Sequence, residues 1–503
     1  MSNRIPSKYQ KEIFNFVRTG TGNCVINAVA GSGKTTTIIG SLRFIPTDKS
    51  TIFLAFNKSI VEEIKLKVPE NVKVQTFHSL GASSIWRAYR DKSKLDNDKI
   101  YTIINNMAPK WNMLDKQPID TDYKIRVKKI VDLARLSLTT DEDALKELCY
   151  KHQLDVLGSE IERALKVINE SNNDISTHDF TDMIYWPAKF NHFTVDKYDY
   201  IFVDECQDLN KTQHALIQKL CHQNSRVIAV GDRSQAIYGF AGADTESFDL
   251  LTKMPNTITL PLSVNYRCGT NIINLAKRFV NQIEPHENAI EGILNESASY
   301  KEVLEGDMVL CRNAAPLVKL CLQYLHFGKK AYIKGADIGE DLIRLIVRSG
   351  SKSTFELRTW LDLEMKKIIW LIKKKLPFLD DSQIKEHNTF IVFHEKWQLI
   401  NTIIEDEKIT NNSVLISKIR QIFLDNSTGI CLSTIHKAKG LECNRVFIVD
   451  KEKTMPSRYA KLPWQIEQEK NLEYVAITRA KNYLGIITAV SYTHLTLPTK
   501  RIV

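Results

Sequence analysis

Residues 28–37 read AVAGSGKTTT. The stretch follows a short apolar run, NCVIN at 23–27, and leads into a helical pattern. A strand that ends in a glycine loop and continues as a helix is the setting in which backbone N–H groups wrap a phosphate. Gly31 and Gly33 let the chain curl without side-chain clash. The N–H groups of Ala30, Gly31, Ser32, Gly33, Lys34, Thr35 and Thr36 are the candidate cradle. Lys34 is suited to the β- and γ-phosphates of a nucleotide and the Thr35 hydroxyl to Mg²⁺, while the helix N-terminus adds partial positive charge. The strict motif has glycine at its first position, where this chain has Ala28.

Outward from this loop, the runs TIFLAF (51–56) and VKVQT (72–76) are each followed by a helical pattern. Buried runs alternating with helices predict parallel strands in an α/β domain. From 86 to 170 the chain turns helical and charged; YIFV (200–203) and RVIAV (226–230) restore the strand pattern. The helical block therefore reads as an insertion. The α/β signal resumes with MVLC (308–311), gives way to a helical, Lys-, Ile- and Leu-rich stretch at 339–425, and returns at 429–433 and 445–449. The predicted domains are 1–85 with 171–265, a helical insertion at 86–170, a second α/β domain at 266–338 with 426–490, and a second helical insertion at 339–425. SYTHLTLPTKRIV at 491–503 breaks the pattern and reads as a foreign tail, which leaves the native C-terminus open.

A second chemical signal is VDECQD (203–208), directly after YIFV. A strand ending in Asp-Glu puts a metal carboxylate beside a water-activating one. Asp204 is the candidate for Mg²⁺, through water, and Glu205 for orienting or deprotonating the attacking water.

Composition excludes several classes. The chain has 503 residues, 43% hydrophobic and 25% charged, enough to bury several cores without a metal or disulfide staple. No stretch approaches the ~18 apolar residues of a membrane span. The start, MSNRIPSKYQKEI, has no apolar segment of a secretory signal. Sixty-nine Lys and Arg against 59 Asp and Glu give a net charge of +10, which permits a polyanionic partner without demanding one. Nine scattered cysteines form no CxxC pair and no zinc spacing, so the expectation is reduced thiols in a cytoplasmic protein.

With these motifs in place, the rest resemble the UvrD-like branch of superfamily 1 helicases. Gln10 in KYQKEIF matches the family's adenine-reading glutamine. AFNKSIVEEI (55–64) and TFHSLG (76–81) resemble its first strand-contact motifs, and DFTDMI (179–184) the stretch preceding its DExQD box. GDRSQAIYGFAGA (231–243), NYR (265–267), STIHKAKGLE (433–442) and YVAITRAK (474–481) resemble its third to sixth motifs. The resemblance spans Gln10 to Lys481 and implies two RecA-like P-loop NTPase domains with parallel sheets.

It further implies that Tyr266 stacks on adenine, Gln235 senses the γ-phosphate, Glu442 lies near the ribose, and Arg267 and Arg479 act as arginine fingers. Asn57, Phe77, His78, Phe240, Thr434 and His436 fall where the family meets single-stranded nucleic acid, with the phenylalanines suited to base stacking. Many relatives carry arginine after the aromatic of the third motif; this chain has Ala241 after Phe240. In the second helical stretch, MKKIIWLIKKKLP (365–377) is basic and amphipathic, a pattern that fits a duplex contact or a helix with a solvated lysine face. The implied activity is ATP-driven 3′ to 5′ translocation on single-stranded DNA and unwinding at single/double-strand junctions, in repair, replication or recombination. The alternative is a DNA-stimulated ATPase that remodels protein–DNA complexes without robust unwinding. Replication or repair proteins are the candidate partners.

Overall fold

The computed structural model describes residues 5–115, 121–152, 154, 156, 158–239, 246–377, 379–385, 387–425, 427–458 and 460–487. Phe240, Ala241 and the tail at 491–503 lie outside these. The chain divides into two units, Met1–Val264 and Asn265–Val503.

The first unit is built on a six-stranded sheet of β1 (Asn23–Ala28), β2 (Thr51–Ala55), β3 (Val72–Thr76), β4 (Tyr200–Val203), β5 (Arg226–Gly231) and β6 (Thr257–Leu262). The order is β3-β2-β4-β5-β1-β6, and every pairing is parallel. The four inner strands are nearly continuous apolar runs because both faces are covered. Successive residues serve opposite cores. Ile26, Phe53, Phe202 and Ile228 face one layer, with Ile13 and Ile38 from the covering helices. Val25, Ile52, Leu54, Ile201 and Val227 face the other, with Leu80 and Leu216. Edge strands β3 and β6 are more exposed, as one-sided cover requires. Between β3 and β4 the helices Lys99–Asp115, Thr121–Leu136, Glu142–Lys151 and Gly158–Asn173 enclose a core of their own around Ile104, Val127, Ile130, Leu145, Ala164 and Val167.

The second unit is built on a seven-stranded sheet of β7 (Ile293–Asn295), β8 (Met308–Cys311), β9 (Ala331–Lys334), β10 (Phe423–Leu424), β11 (Ile430–Thr434), β12 (Cys443–Val449) and β13 (Ala480–Ile487). Their order is β7-β13-β12-β8-β11-β9-β10, again all parallel. Its helical stretch is not set apart as the first one is. Leu342, Leu357, Leu361, Ile400, Ile403, Leu415 and Ile419 share one continuous core with Val309, Leu432 and Phe447 of the sheet. Only Ile368, Ile372, Ile384 and Phe390 form a small separate cluster. Among the described residues no helix is long and apolar enough to cross a membrane.

Candidate nucleotide and strand site

In a parallel sheet all strands end on the same edge, and ligands gather outside those carboxyl ends. The glycine loop leaves β1, Phe56 and Asn57 follow β2, Phe77 follows β3, Asp204 and Glu205 follow β4, and Asp232 to Gln235 follow β5. Residues up to two hundred positions apart in sequence thus line one rim.

Gly31 and Gly33 have φ of +65° and +74°. Gly33 caps helix Lys34–Ser41 in the left-handed region, which glycine adopts without strain. Thr35 Oγ1 donates to Asp204 Oδ2 at 2.7 Å, and Lys34 Nζ lies 3.4 Å from Glu205 Oε1. Asp204 Oδ1 accepts the Glu205 N–H at 2.9 Å. Glu205 itself sits in the left-handed region, φ +51°, a conformation uncommon for a side chain of its kind. Burial, reinforced by the charge of Glu205, pushes the Asp204 carboxyl up to about 6. Burial does the same to Asp232, also to about 6.

These groups fit a divalent cation. Three carboxylates gather around the Lys34 ammonium, and Asp204, against the Thr35 hydroxyl, is buried where an anion is disfavoured unless balanced. No cluster of three His, Cys, Asp or Glu that could cage a metal occurs among the described residues. Mg²⁺ in nucleotide sites takes one or two protein oxygens, for which the Thr35 hydroxyl and Asp204 stand together, and completes its shell with phosphate and water.

One functional residue was not singled out in the sequence. Gln207 is buried, and its amide joins the ends of β4 and β5. Nε2 donates to Glu205 Oε2 at 2.6 Å and to Asp208 Oδ2 at 3.1 Å, while Oε1 accepts the Asp232 N–H at 3.0 Å. Asp232 Oδ2 in turn accepts from Gln235 Nε2 at 2.6 Å. The chain Glu205–Gln207–Asp232–Gln235 ties the water-orienting candidate to the γ-phosphate-sensing candidate. The signal in the sequence was a buried amide between acids, which only the strand order makes legible.

Gln10 is brought to the glycine loop's helix: its Nε2 donates to Thr37 Oγ1 at 3.0 Å. Its Oε1 accepts the Ser7 N–H, closing a capping box on helix Lys8–Thr19. The residue therefore has a structural task as well as the adenine-reading one expected of it.

One strand-contact expectation changes. Phe77 is only 4% exposed and packs in the core beneath the sheet with Leu80, Ile52 and Leu54. It opens a helix whose inner face is apolar, so its ring points inward and offers no face to a base. The exposed aromatics of this rim are Phe56, at 48%, and Phe180, at 52%. Phe56 is one residue past the end of β2, so the apolar run TIFLAF outlasts its strand. Phe180 lies in DFTDMI, and His78 meets its ring edge-on at 6.0 Å. Asn57, exposed, caps helix Lys58–Lys65 by accepting the Ile60 N–H.

In the second unit, Glu442 accepts from Arg267 Nε at 2.7 Å and lies 2.6 Å from Lys481 Nζ. Burial opposes its charge, but the bonds from Lys481 and Arg267 hold the carboxyl below the usual range. Arg267 also donates to the Thr478 carbonyl at 3.1 Å. Arg479 is 1% exposed; its guanidinium bonds the carbonyls of Val475 and Leu441, a cation closing a helix C-terminus. The expectation for it was a finger directed at phosphate; here its planar fork is engaged by backbone. Tyr266 is half-buried, with its ring 4.8 Å from that of His286. Thr434 ends β11, and His436 follows it half-buried. Burial, with Arg312 and Lys439 nearby, lowers the His436 imidazole to about 3, so it stands neutral.

Comparison with known proteins agrees with this architecture. Residues 9–256 match the UvrD/REP helicase N-terminal domain model, and residues 379–491 the UvrD-like helicase C-terminal domain model. The chain is 23% identical to the ATP-dependent DNA helicase PcrA of Staphylococcus epidermidis, covering 97% of this chain and 84% of that protein. It is 23% identical to the ATP-dependent DNA helicase Rep of Buchnera aphidicola, over 96% of this chain and 91% of that one. F-box DNA helicase 1 of Gallus gallus is 24% identical over 91% of this chain, which spans 46% of that longer protein.

Proposed function

The chain belongs to the UvrD-like helicase family, and on that premise we propose that it is an ATP-driven translocase and helicase on single-stranded DNA. The observation that carries the reading is the joining of Lys34, Thr35, Asp204, Glu205 and Gln235 on the rim that also presents Phe56, His78 and Phe180. The first set suits phosphoryl transfer; the second suits bases of any sequence.

The backbone N–H groups of 30–36 hold the phosphates, and Lys34 leans from Glu205 toward the γ-phosphate. Thr35 and Asp204 would hold Mg²⁺, which when bound neutralises charge on the β- and γ-oxygens. Glu205 orients the attacking water, and Gln207 keeps its carboxylate turned toward it. Gln235 reads the γ-phosphate and passes its presence to Asp232. Arg267, the more accessible of the two arginines, is proposed to offset charge on the transferring phosphoryl group. Arg479 supports it through Thr478, whose carbonyl Arg267 bonds and whose hydroxyl Arg479 approaches at 3.5 Å. Glu442 is proposed for the ribose, Gln10 and Tyr266 for the adenine, and Asn57, Thr434 and neutral His436 for strand phosphates and sugars.

The finer proposal is 3′ to 5′ movement, with unwinding at single/double-strand junctions in repair, replication or recombination. The test is steady-state ATPase with and without single-stranded DNA, followed by strand displacement from 3′- and 5′-tailed duplexes. A rate raised severalfold by DNA, abolished by Lys34→Ala and Glu205→Gln, with displacement from the 3′ tail only, is the expected result. Stimulation without displacement moves the reading to remodelling of protein–DNA complexes. A folded chain that hydrolyses no ATP with any strand overturns it.

A further inference from the structure

The helical block between β3 and β4 is bolted to the start of helix Phe180–Lys189 by a buried cluster of ions. Lys99 Nζ donates to Asp182 Oδ2 at 3.0 Å and to the carbonyls of Ser171 and Asp174 at 2.9 and 3.3 Å. The same ammonium lies 4.3 Å from the ring centre of Trp186. Arg135 bonds both oxygens of Asp179 at 2.9 Å, Asp182 Oδ1 at 3.0 Å and Asp132 at 2.8 Å. Lys99, Arg135 and Asp182 are all but closed to solvent, and Asp179 nearly so.

Asp179 and Asp182 are the two acids of DFTDMI, and together they form a capping box at the start of helix Phe180–Lys189. Phe180 stands between them, outward, with His78 against its edge. The helix that carries His78, Phe77–Tyr89, approaches so closely that a Cβ on Gly81 would lie 1.5 Å from the Met183 carbonyl oxygen. Thr212, in the helix that follows VDECQD, donates to the carbonyls of Arg135 and Leu136 at 2.7 and 3.0 Å. One joint therefore meets the helical block, the exposed aromatic and the segment beyond Glu205.

Apolar side chains of similar volume would hold two elements together at least as firmly as a buried ion network. Ions add direction: the Arg135 guanidinium grips Asp179 through both oxygens and reaches Asp182 by one further bond, which fixes the first turn that aims Phe180. We propose that Arg135 and Lys99 are positioning residues for strand binding, setting Phe180 and His78 against the bases, so that the helical block tunes affinity through this joint. This rests on the strand-binding reading above.

The test is a double-mutant cycle on the full chain, measuring affinity for an oligothymidine by fluorescence anisotropy. Phe180→Ala is expected to weaken binding roughly tenfold, the size of one lost base stack. Arg135→Met is expected to weaken it to a similar extent, Arg135→Lys to recover part, and the double variant to be no weaker than either single one. The KM for ATP without DNA stays unchanged in Arg135→Met. If that variant does not fold, Asp182→Asn enters the same cycle. Additive losses, or an unchanged affinity in Arg135→Met or in Phe180→Ala, overturn the positioning role while leaving the helicase reading intact. A wild-type chain that binds no single strand overturns both.

Discussion

Gly231→Ala adds one methyl group and separates two reasons for a glycine. The backbone there is not in the left-handed region, so alanine is conformationally acceptable. Space is the obstacle: a Cβ would stand 2.5 Å from Gln207 Oε1, 2.7 Å from Cys206 Sγ and 3.1 Å from the Gln207 backbone nitrogen. Gln207 has little freedom to yield, since its amide is bonded to Asp232, Glu205 and Asp208. Overpacking costs about 1–3 kcal/mol. Loosening a hydrogen bond to a charged carboxylate adds about 1.5–3 kcal/mol. A total of about 4 kcal/mol lowers the melting temperature of the first unit by on the order of 10 °C. Below that temperature the displaced Gln207 releases Glu205, and a misplacement near 1 Å lowers kcat for ATP roughly 10–100-fold. KM stays within about twofold, because the phosphate-binding amides are untouched. Gly33→Ala is the opposite case. Its nearest neighbour to a new Cβ is 3.9 Å away, but φ is +74°, so it strains the loop itself and should raise KM. The assay is steady-state ATPase with DNA on both variants, alongside thermal unfolding. A normal kcat in Gly231→Ala, or a raised KM with normal kcat, would refute the assignment of Gln207 as the residue that holds Glu205.

Three further outcomes follow from the same contacts. Phe77→Ala should destabilise the first unit by about 3–5 kcal/mol, as a large core truncation does; thermal unfolding measures it, and an unchanged melting temperature contradicts the inward ring. Chelation of divalent cations should abolish hydrolysis, and Thr35→Ala should raise the Mg²⁺ concentration giving half-maximal rate roughly tenfold. An unchanged Mg²⁺ requirement would remove Thr35 from the ion's shell. The folded state keeps His436 neutral down to about pH 3, whereas the unfolded chain protonates it near 6.5. Its contribution is therefore complete above pH ~6.5 and declines as pH falls, by up to about 1.4 kcal/mol per unit. His436→Gln should flatten that acid limb in the second unit, and denaturant titrations at pH 7 and 5 measure the difference.

The sequence carried the sheet pattern because parallel strands buried on both faces become unbroken apolar runs, and these stand out between helices. It carried less of the second helical stretch. Leu357, Leu361, Ile400 and Ile403 have the spacing of helices that bury one face, but spacing does not say what the face is buried against. Ile104, Val127 and Ala164 have the same periodicity and close upon one another instead. Both stretches therefore read as insertions, although the first closes its main core on itself and the second shares its main core with its sheet.

For the site, the legible residues are those whose chemistry is set by neighbours in sequence: Lys34 and Thr35 after two glycines, Asp204 beside Glu205 at a strand end. The residues misread or missed depend on contacts that sequence distance conceals. Phe77 and Phe180 are both aromatic first residues of helices, each preceded by a polar cap. Phe77 turns into the core because β3 delivers its helix across the sheet face, where Ile52 and Leu54 wait. Phe180 turns outward because the acid that caps its helix, Asp179, and its partner Asp182 are drawn inward by Arg135. With both carboxylates turned inward, Phe180, the first residue between them, faces solvent. The aromatic available to a strand is thus selected by an arginine 45 positions upstream, and a substitution there changes the strand surface without altering any residue on it.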